Sequence, residues 1–236
     1  MANFGLSRLT VVDQFAPPWR EAKSAVGAPE LLLAARETAT LAEAVAGCTL
    51  VIGTGCLTYR KPEQPVVALP DLAPPVAREL AQGGRVAMVF GSEKHGLGRE
   101  DLALCHCLAV IPTDAGQPSM NLGQAVAVCL YELAVHAGIP ATDTPLETQK
   151  RASPDREPHG EEALAKTTSG DLDILTGLVL ETMQAAGYSP RSMQAANRHD
   201  LLLMMRRLAL SPQDSRRTLG LFRRILWRLK RTSPRN

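Results

Sequence analysis

Over roughly the first 140 residues, short apolar runs alternate with stretches of helical periodicity. Four runs, "SRLTVVD" (7–13), "TLVIGTG" (49–55), "RVAMVFG" (85–91) and "CLAVIP" (107–112), are apolar and bounded by Gly, Pro or Asp. That pattern predicts strands, the last three of the buried type. Between them, Pro17-Pro18 opens a helical segment. "TLAEAVAG" (40–47) has Thr40 as N-cap, Glu43 three residues on and Gly47 as a stop, the pattern of a short capped helix. "PPVARELAQGG" (74–84) starts with proline and ends with glycine. After Asn121, apolar residues recur at Leu122, Ala125, Val126, Cys129, Leu130 and Leu133, predicting a helix with one buried face. Strands alternating with helices define an α/β layer architecture.

The pattern stops at about residue 140. Residues 141–169 are polar, proline-punctuated and aperiodic, and read as a linker. Three amphipathic helices follow, at 171–186, 192–210 and 213–231. The last begins with Ser211 as N-cap, Pro212 and Asp214, and carries an apolar stripe of Leu219, Phe222, Ile225, Leu226 and Leu229. The expected domains are therefore 1–140, α/β, and 170–236, a small helical extension. No internal repeat is present.

Charge sharpens this division. The net +2 of the 236 residues conceals a basic tail, since residues 191–236 hold twelve Arg or Lys against two acids, a balance of +10, leaving −8 for the rest. A nearly unopposed, Arg-dominated excess suits phosphate recognition, with Arg216, Arg217, Arg223, Arg224 and Arg228 as candidates. A solvated helix face is the plainer alternative. The five cysteines lack the spacing of a disulfide framework or zinc finger, so they read as reduced thiols in a cytoplasmic protein. Cys105-His106-Cys107 could ligate a metal, but a strand turns such neighbours to opposite faces and no second ligand pair follows. No metal and no membrane span are expected.

Three predicted strands end in distinctive loops: "GTGC" (53–56), "FGSEKHGLG" (90–98) and "IPTDAGQPSMN" (111–121). Ligands of open α/β sheets collect at the carboxyl ends of strands, where glycine lets the backbone approach closely. Strand-ending glycines are common, however, and "GLG" is no dinucleotide fingerprint. Asn121 with Gln124 three residues later also reads as a capping box that requires no ligand.

Taken in order, these loops resemble the signature of the SPOUT superfamily of RNA methyltransferases, in its TrmH/TrmJ branch. "FGSEKHGLG" is similar to F-G-x-E-x-x-G-L, and "IPTDAGQPSMNLGQAVAVCLYE" to I-P-x-(loop)-S-L-N-x-x-x-A-V-x-x-x-x-Y-E. The resemblance implies a parallel sheet with a C-terminal trefoil knot, S-adenosyl-L-methionine as methyl donor, and a homodimer. It implies transfer to a tRNA ribose 2′-hydroxyl, on cytidine or uridine at anticodon-loop position 32. Backbone at Thr54, Gly55, Cys56, Gly91, Ile111, Pro118, Ser119 and Met120 would hold the cofactor. Glu93, Ser119 and Asn121 would serve catalysis, and the basic extension would bind tRNA. The family's first motif, N-x-G-x-x-x-R, would precede Met1, and neither Arg8 nor Arg20 lies on an element that substitutes for its arginine. The expectation is an N-terminally truncated enzyme, with a non-catalytic RNA- or cofactor-binding remnant as the alternative.

Overall fold

The computed structural model describes residues 1–12, 19, 27–55, 61–138, 166–188 and 190–232. Cys56, the segment around Pro17-Pro18 and most of the expected linker lie outside them. Two parallel sheets organise the first half. β1 (Thr10–Val12) pairs with β2 (Arg36–Thr38), which follows α1 (Pro29–Leu33), and a four-stranded sheet runs in the order β4 (Val66–Ala68), β6 (Cys107–Val110), β3 (Leu50–Thr54), β5 (Val86–Val89). β6, last in the chain, lies between β3 and β4, which precede it.

Alternation along the strands builds a core on each face of the larger sheet. Val51 and Leu108 point to one side, where they meet Leu41 and Val45 of α2 (Leu41–Val45) and Ala103 of α4 (Arg99–Ala103). Ile52 and Ala109 point to the other, against Val76 of α3 (Ala73–Ala81) and Cys129 and Leu133 of α5 (Leu122–His136). The expected caps form: Thr40 accepts the Glu43 N–H at 3.2 Å, and Glu43 accepts from the Ala39 N–H at 3.3 Å.

The C-terminal helices are α6 (Ser169–Ala185), α7 (Gln194–Arg207) and α8 (Pro212–Thr232). α6 and α7 dock directly on the α/β layers, and α8 packs against α6. Leu202 and Leu203 of α7 complete the core beside Val51 and Leu104, and the Ser169 and Gly170 N–H groups donate to the Cys48 and Ala46 carbonyls. Arg206, one of the arginines of the basic excess, is 2% exposed at this junction. Its guanidinium donates to the Leu104 carbonyl at 2.9 Å and Ser169 Oγ at 3.0 Å, and it pairs with Asp173 at 3.3 Å. Nearby, His199 Nε2 lies 3.0 Å from Glu63, which also pairs with Arg99.

The Cys-His-Cys triplet separates because β6 begins only at Cys107, so the strand's alternation does not reach Cys105. Cys105 packs in one core, Cys107 borders the other, and the Val51 N–H donates to His106 Nδ1 at 3.0 Å. Burial, then the Arg206 charge, pushes His106 from 6.5 down to about 4, and the Val51 bond requires an unprotonated Nδ1. A histidine held neutral in the fold but basic when unfolded stabilises fully above the unfolded value. That stability, on the order of 3 kcal/mol, is lost as pH falls from about 6.5 to about 4. Denaturant midpoints followed over that window should fall more steeply for the native chain than for His106→Gln; parallel curves would refute the assignment.

No helix among the described residues is long and apolar enough to cross a membrane.

Candidate active site at the strand ends

Because β5, β3 and β6 are adjacent and parallel, their carboxyl ends open on one edge. Each loop has its own reason to turn there. At the end of β3, a Cβ on Gly53 would lie 2.8 Å from Cys105 Sγ and 2.9 Å from a Leu108 methyl, so close packing excludes a side chain. Thr54 Oγ1 donates to the Val89 carbonyl at 2.9 Å, tying β3 to β5. Gly55 is exposed, and among the described residues a Cβ there would meet nothing within 4 Å.

The loop after β5 folds back tightly. A Cβ on Gly91 would sit 2.0 Å from the Gly96 carbonyl carbon, so only glycine allows the return. Gly96, at φ 66, donates to the Ser92 carbonyl at 2.8 Å, and Leu97 plugs into the core. The hairpin presents Glu93 to solvent at its tip.

The loop after β6 leaves from Ile111. It is held by the Gly116 N–H donating to Asp114 Oδ1 at 2.8 Å and by Thr113 Oγ1 donating to the Pro118 carbonyl at 3.3 Å. It ends at Asn121, whose Oδ1 accepts the Gly123 and Gln124 N–H groups at 2.9 and 3.3 Å as the N-cap of α5. With Oδ1 so occupied, Nδ2 donates to Glu93 Oε1 at 2.7 Å. Asn121 is thus both helix cap and tether between two loops. Gln124 contributes its backbone N–H, not the reciprocal side-chain bond of a capping box.

The direct contact among the expected site residues is therefore Glu93 with Asn121. Ser119 and Met120 stand exposed just before it, and Pro118 is half-buried. A carboxylate held through one bond keeps acceptor capacity for a hydroxyl, and Glu93, Ser119 and Met120 are all exposed. Among the described residues, no group of three or more His, Cys, Asp or Glu could hold a metal ion. Burial pushes the Cys105 thiol up to about 12 and Cys129 to about 11, leaving both protonated and inert.

On α8, Arg216, Arg217, Arg223, Arg224 and Arg228 are all exposed. Ile225, expected in the apolar stripe, is exposed too, while Leu226 is buried and Leu219, Phe222 and Leu229 are half-buried. The sequence pattern gave no role to Trp227, whose ring lies between Arg224 and Arg231 in sequence and near both in space. Its signal was an indole outside the stripe.

Parallel strands whose three loops gather at one edge, and a carboxylate tethered to a helix-capping amide, define an α/β layered protein with a candidate site at its strand ends. The chain belongs to the SpoU rRNA Methylase family, whose model matches residues 1–131. It is 38% identical over 151 residues to the tRNA (cytidine/uridine/adenosine-2′-O-)-methyltransferase TrmJ of Pseudomonas aeruginosa (strain UCBPP-PA14), covering 64% of this chain and 58% of that relative. It is 33% identical over 154 residues to the tRNA (cytidine/uridine-2′-O-)-methyltransferase TrmJ of Yersinia pestis (strain Pestoides F), covering 64% and 59%. The chain thus spans less than two thirds of either relative. Among solved structures, TrmJ from Z. mobilis ZM4 matches with a TM-score of 0.73 at 24% identity over 95% of this chain and 89% of that one, a likeness of fold.

Proposed function

We propose that the protein transfers a methyl group from S-adenosyl-L-methionine to a ribose 2′-hydroxyl of tRNA. The observation that carries this reading is the Asn121–Glu93 bond, which joins two strand-end loops in a chain of the SpoU family. The relatives' names specify cytidine and uridine among their targets, and the resemblance to the TrmJ branch favours anticodon-loop position 32. Residues 1–140 form the methyltransferase domain, 141–169 the linker and 170–236 the helical extension, acting in the cytoplasm. A trefoil knot, in which the last loop and α5 thread the chain, is supported by β6 lying between two earlier strands.

The loops fit the cofactor. Among the described residues nothing stands within 4 Å of where a Gly55 side chain would begin, and Gly91 closes a hairpin that admits no side chain, so both loops present bare backbone. Thr54, Gly55, Cys56, Gly91, Ile111, Pro118, Ser119 and Met120 would hold it. When bound, it supplies an activated methyl group, so the protein's work is orientation and water exclusion. Ser119 and Asn121 position the ribose hydroxyl, and Glu93 fixes the Asn121 amide.

A homodimer is supported by α5. Besides its buried face, it exposes Val128, Tyr131 and Val135 at helical spacing, a surface suited to a second copy. Calorimetric titration of the protein with S-adenosyl-L-methionine should give one site per subunit, and light scattering twice the chain mass. Absence of binding would overturn the cofactor assignment, and a monomer the dimer.

Exposed arginines on α8 would grip tRNA phosphates. Replacing Arg223, Arg224 and Arg228 together should weaken tRNA binding and reduce the slope of log affinity against log salt by about 0.7–0.9 for each phosphate no longer neutralised. Cofactor affinity should not change. A solvated helix face gives an unaltered slope in filter binding across a salt series.

A further inference from the structure

We infer that the outward face of α8 carries a stacking site for an unpaired nucleobase, centred on Trp227 and flanked by Arg224 and Arg231. This rests on the RNA reading above and assigns a separate task to a residue outside the phosphate-binding set. The chain has two tryptophans, Trp19 and Trp227, and Trp227 is 46% exposed. Core formation does not account for that position, because α8 turns Leu219 and Phe222 towards α6 and α7 and buries Leu226.

The surroundings of the ring match a base. The guanidinium carbons of Arg224 and Arg231 lie 5.2 and 4.6 Å from its centroid, three residues before and four after it, on one helix face. Gly220, two turns earlier, adds no side chain beside it, and among the described residues a Cβ there would meet nothing within 4 Å. Beside the ring, Arg224, Ile225, Trp227, Arg228 and Leu229 form an open, shallow surface along α8. Indole and guanidinium planes are the stacking partners of splayed bases. A base entering over the indole displaces one guanidinium, which remains within reach of the adjoining phosphate. A second copy of α8 fits less well. A symmetric contact would bury several arginines, and the one acid of α8, Asp214, is bonded to Ser211.

The test uses the full chain carrying Trp19→Phe, so that Trp227 is the sole indole. It is titrated with a short oligouridylate and with an abasic ribose-phosphate strand of equal length and charge. The oligouridylate should quench the indole and bind about tenfold tighter than the abasic strand. Trp227→Ala should remove that tenfold difference without changing the salt slope, and Trp227→Phe should retain most of it. Equal binding and quenching by the abasic strand would overturn the stacking site while leaving the phosphate grip intact. If neither strand nor tRNA binds, the RNA reading falls with it. An indole shift caused by raising chain concentration without RNA would assign the face to a second copy and overturn the inference.

Discussion

Asn121→Asp is expected to lower methyl transfer by about 10²-fold while leaving thermal stability close to that of the native protein. Aspartate caps helices as well as asparagine, so the bonds from Gly123 and Gln124 survive. The donor facing Glu93 does not. A second carboxylate would stand where Nδ2 now lies 2.7 Å from Oε1, and like charges at that range drive the groups apart. A displacement of about 1 Å in a positioning group is enough for a loss of that size. Asn121→Ala should show the same catalytic loss plus about 1 kcal/mol of instability from the missing cap. Glu93→Gln, which keeps an acceptor for Asn121, should fall between. Single-turnover methyl incorporation checks the series. Native turnover in Asn121→Asp would mean that the tether serves the fold alone.

The second large effect concerns stability. Arg206→Met should cost about 3–5 kcal/mol, the range for breaking a buried pair on one side. In a chain of this length that amounts to roughly 10 °C in melting temperature. The Leu104 carbonyl, Ser169 Oγ and Asp173 would all lose a donor at the junction between α7 and the α/β layers. Asp173, mostly buried, would be left as an unpaired charge, so Arg206→Met combined with Asp173→Asn should recover part of the loss. Calorimetric melting measures both. A drop below about 1 kcal/mol would mean that the α7 junction rests on Leu202 and Leu203 rather than on the guanidinium network.

Such details mark where sequence reasoning runs out. The elements with strong local signals were legible: β3, β5 and β6 as apolar runs, and the starts of α2, α5 and α8 at Thr40, Asn121 and Ser211. β2 was not, because Arg36-Glu37-Thr38 is short and charged and is a strand only by pairing with β1. β4 is likewise three residues long and depends on β6, while α4, "REDLA", has too few apolar positions to show a period. Charge counting took Arg206 only as one member of the basic excess, since composition carries no information about which guanidinium is buried. At the site, the glycines were visible but their necessity was not. The reason for Gly91 is the backbone of Gly96, which only the folded hairpin brings near. Glu93 and Asn121 stand 28 residues apart. Family resemblance suggested both, and the folded chain supplies the bond between them.

If the three strand-end loops direct a methyl group to a tRNA ribose, transfer itself is the direct measurement. The protein is incubated with methyl-labelled S-adenosyl-L-methionine and tRNA lacking 2′-O-methylation, and the tRNA is then digested to nucleosides for mass spectrometry. The expected result is label on the ribose of cytidine or uridine, absent with Asn121→Asp. Label on a base, or binding of the methyl donor with no transfer to tRNA, would contradict it.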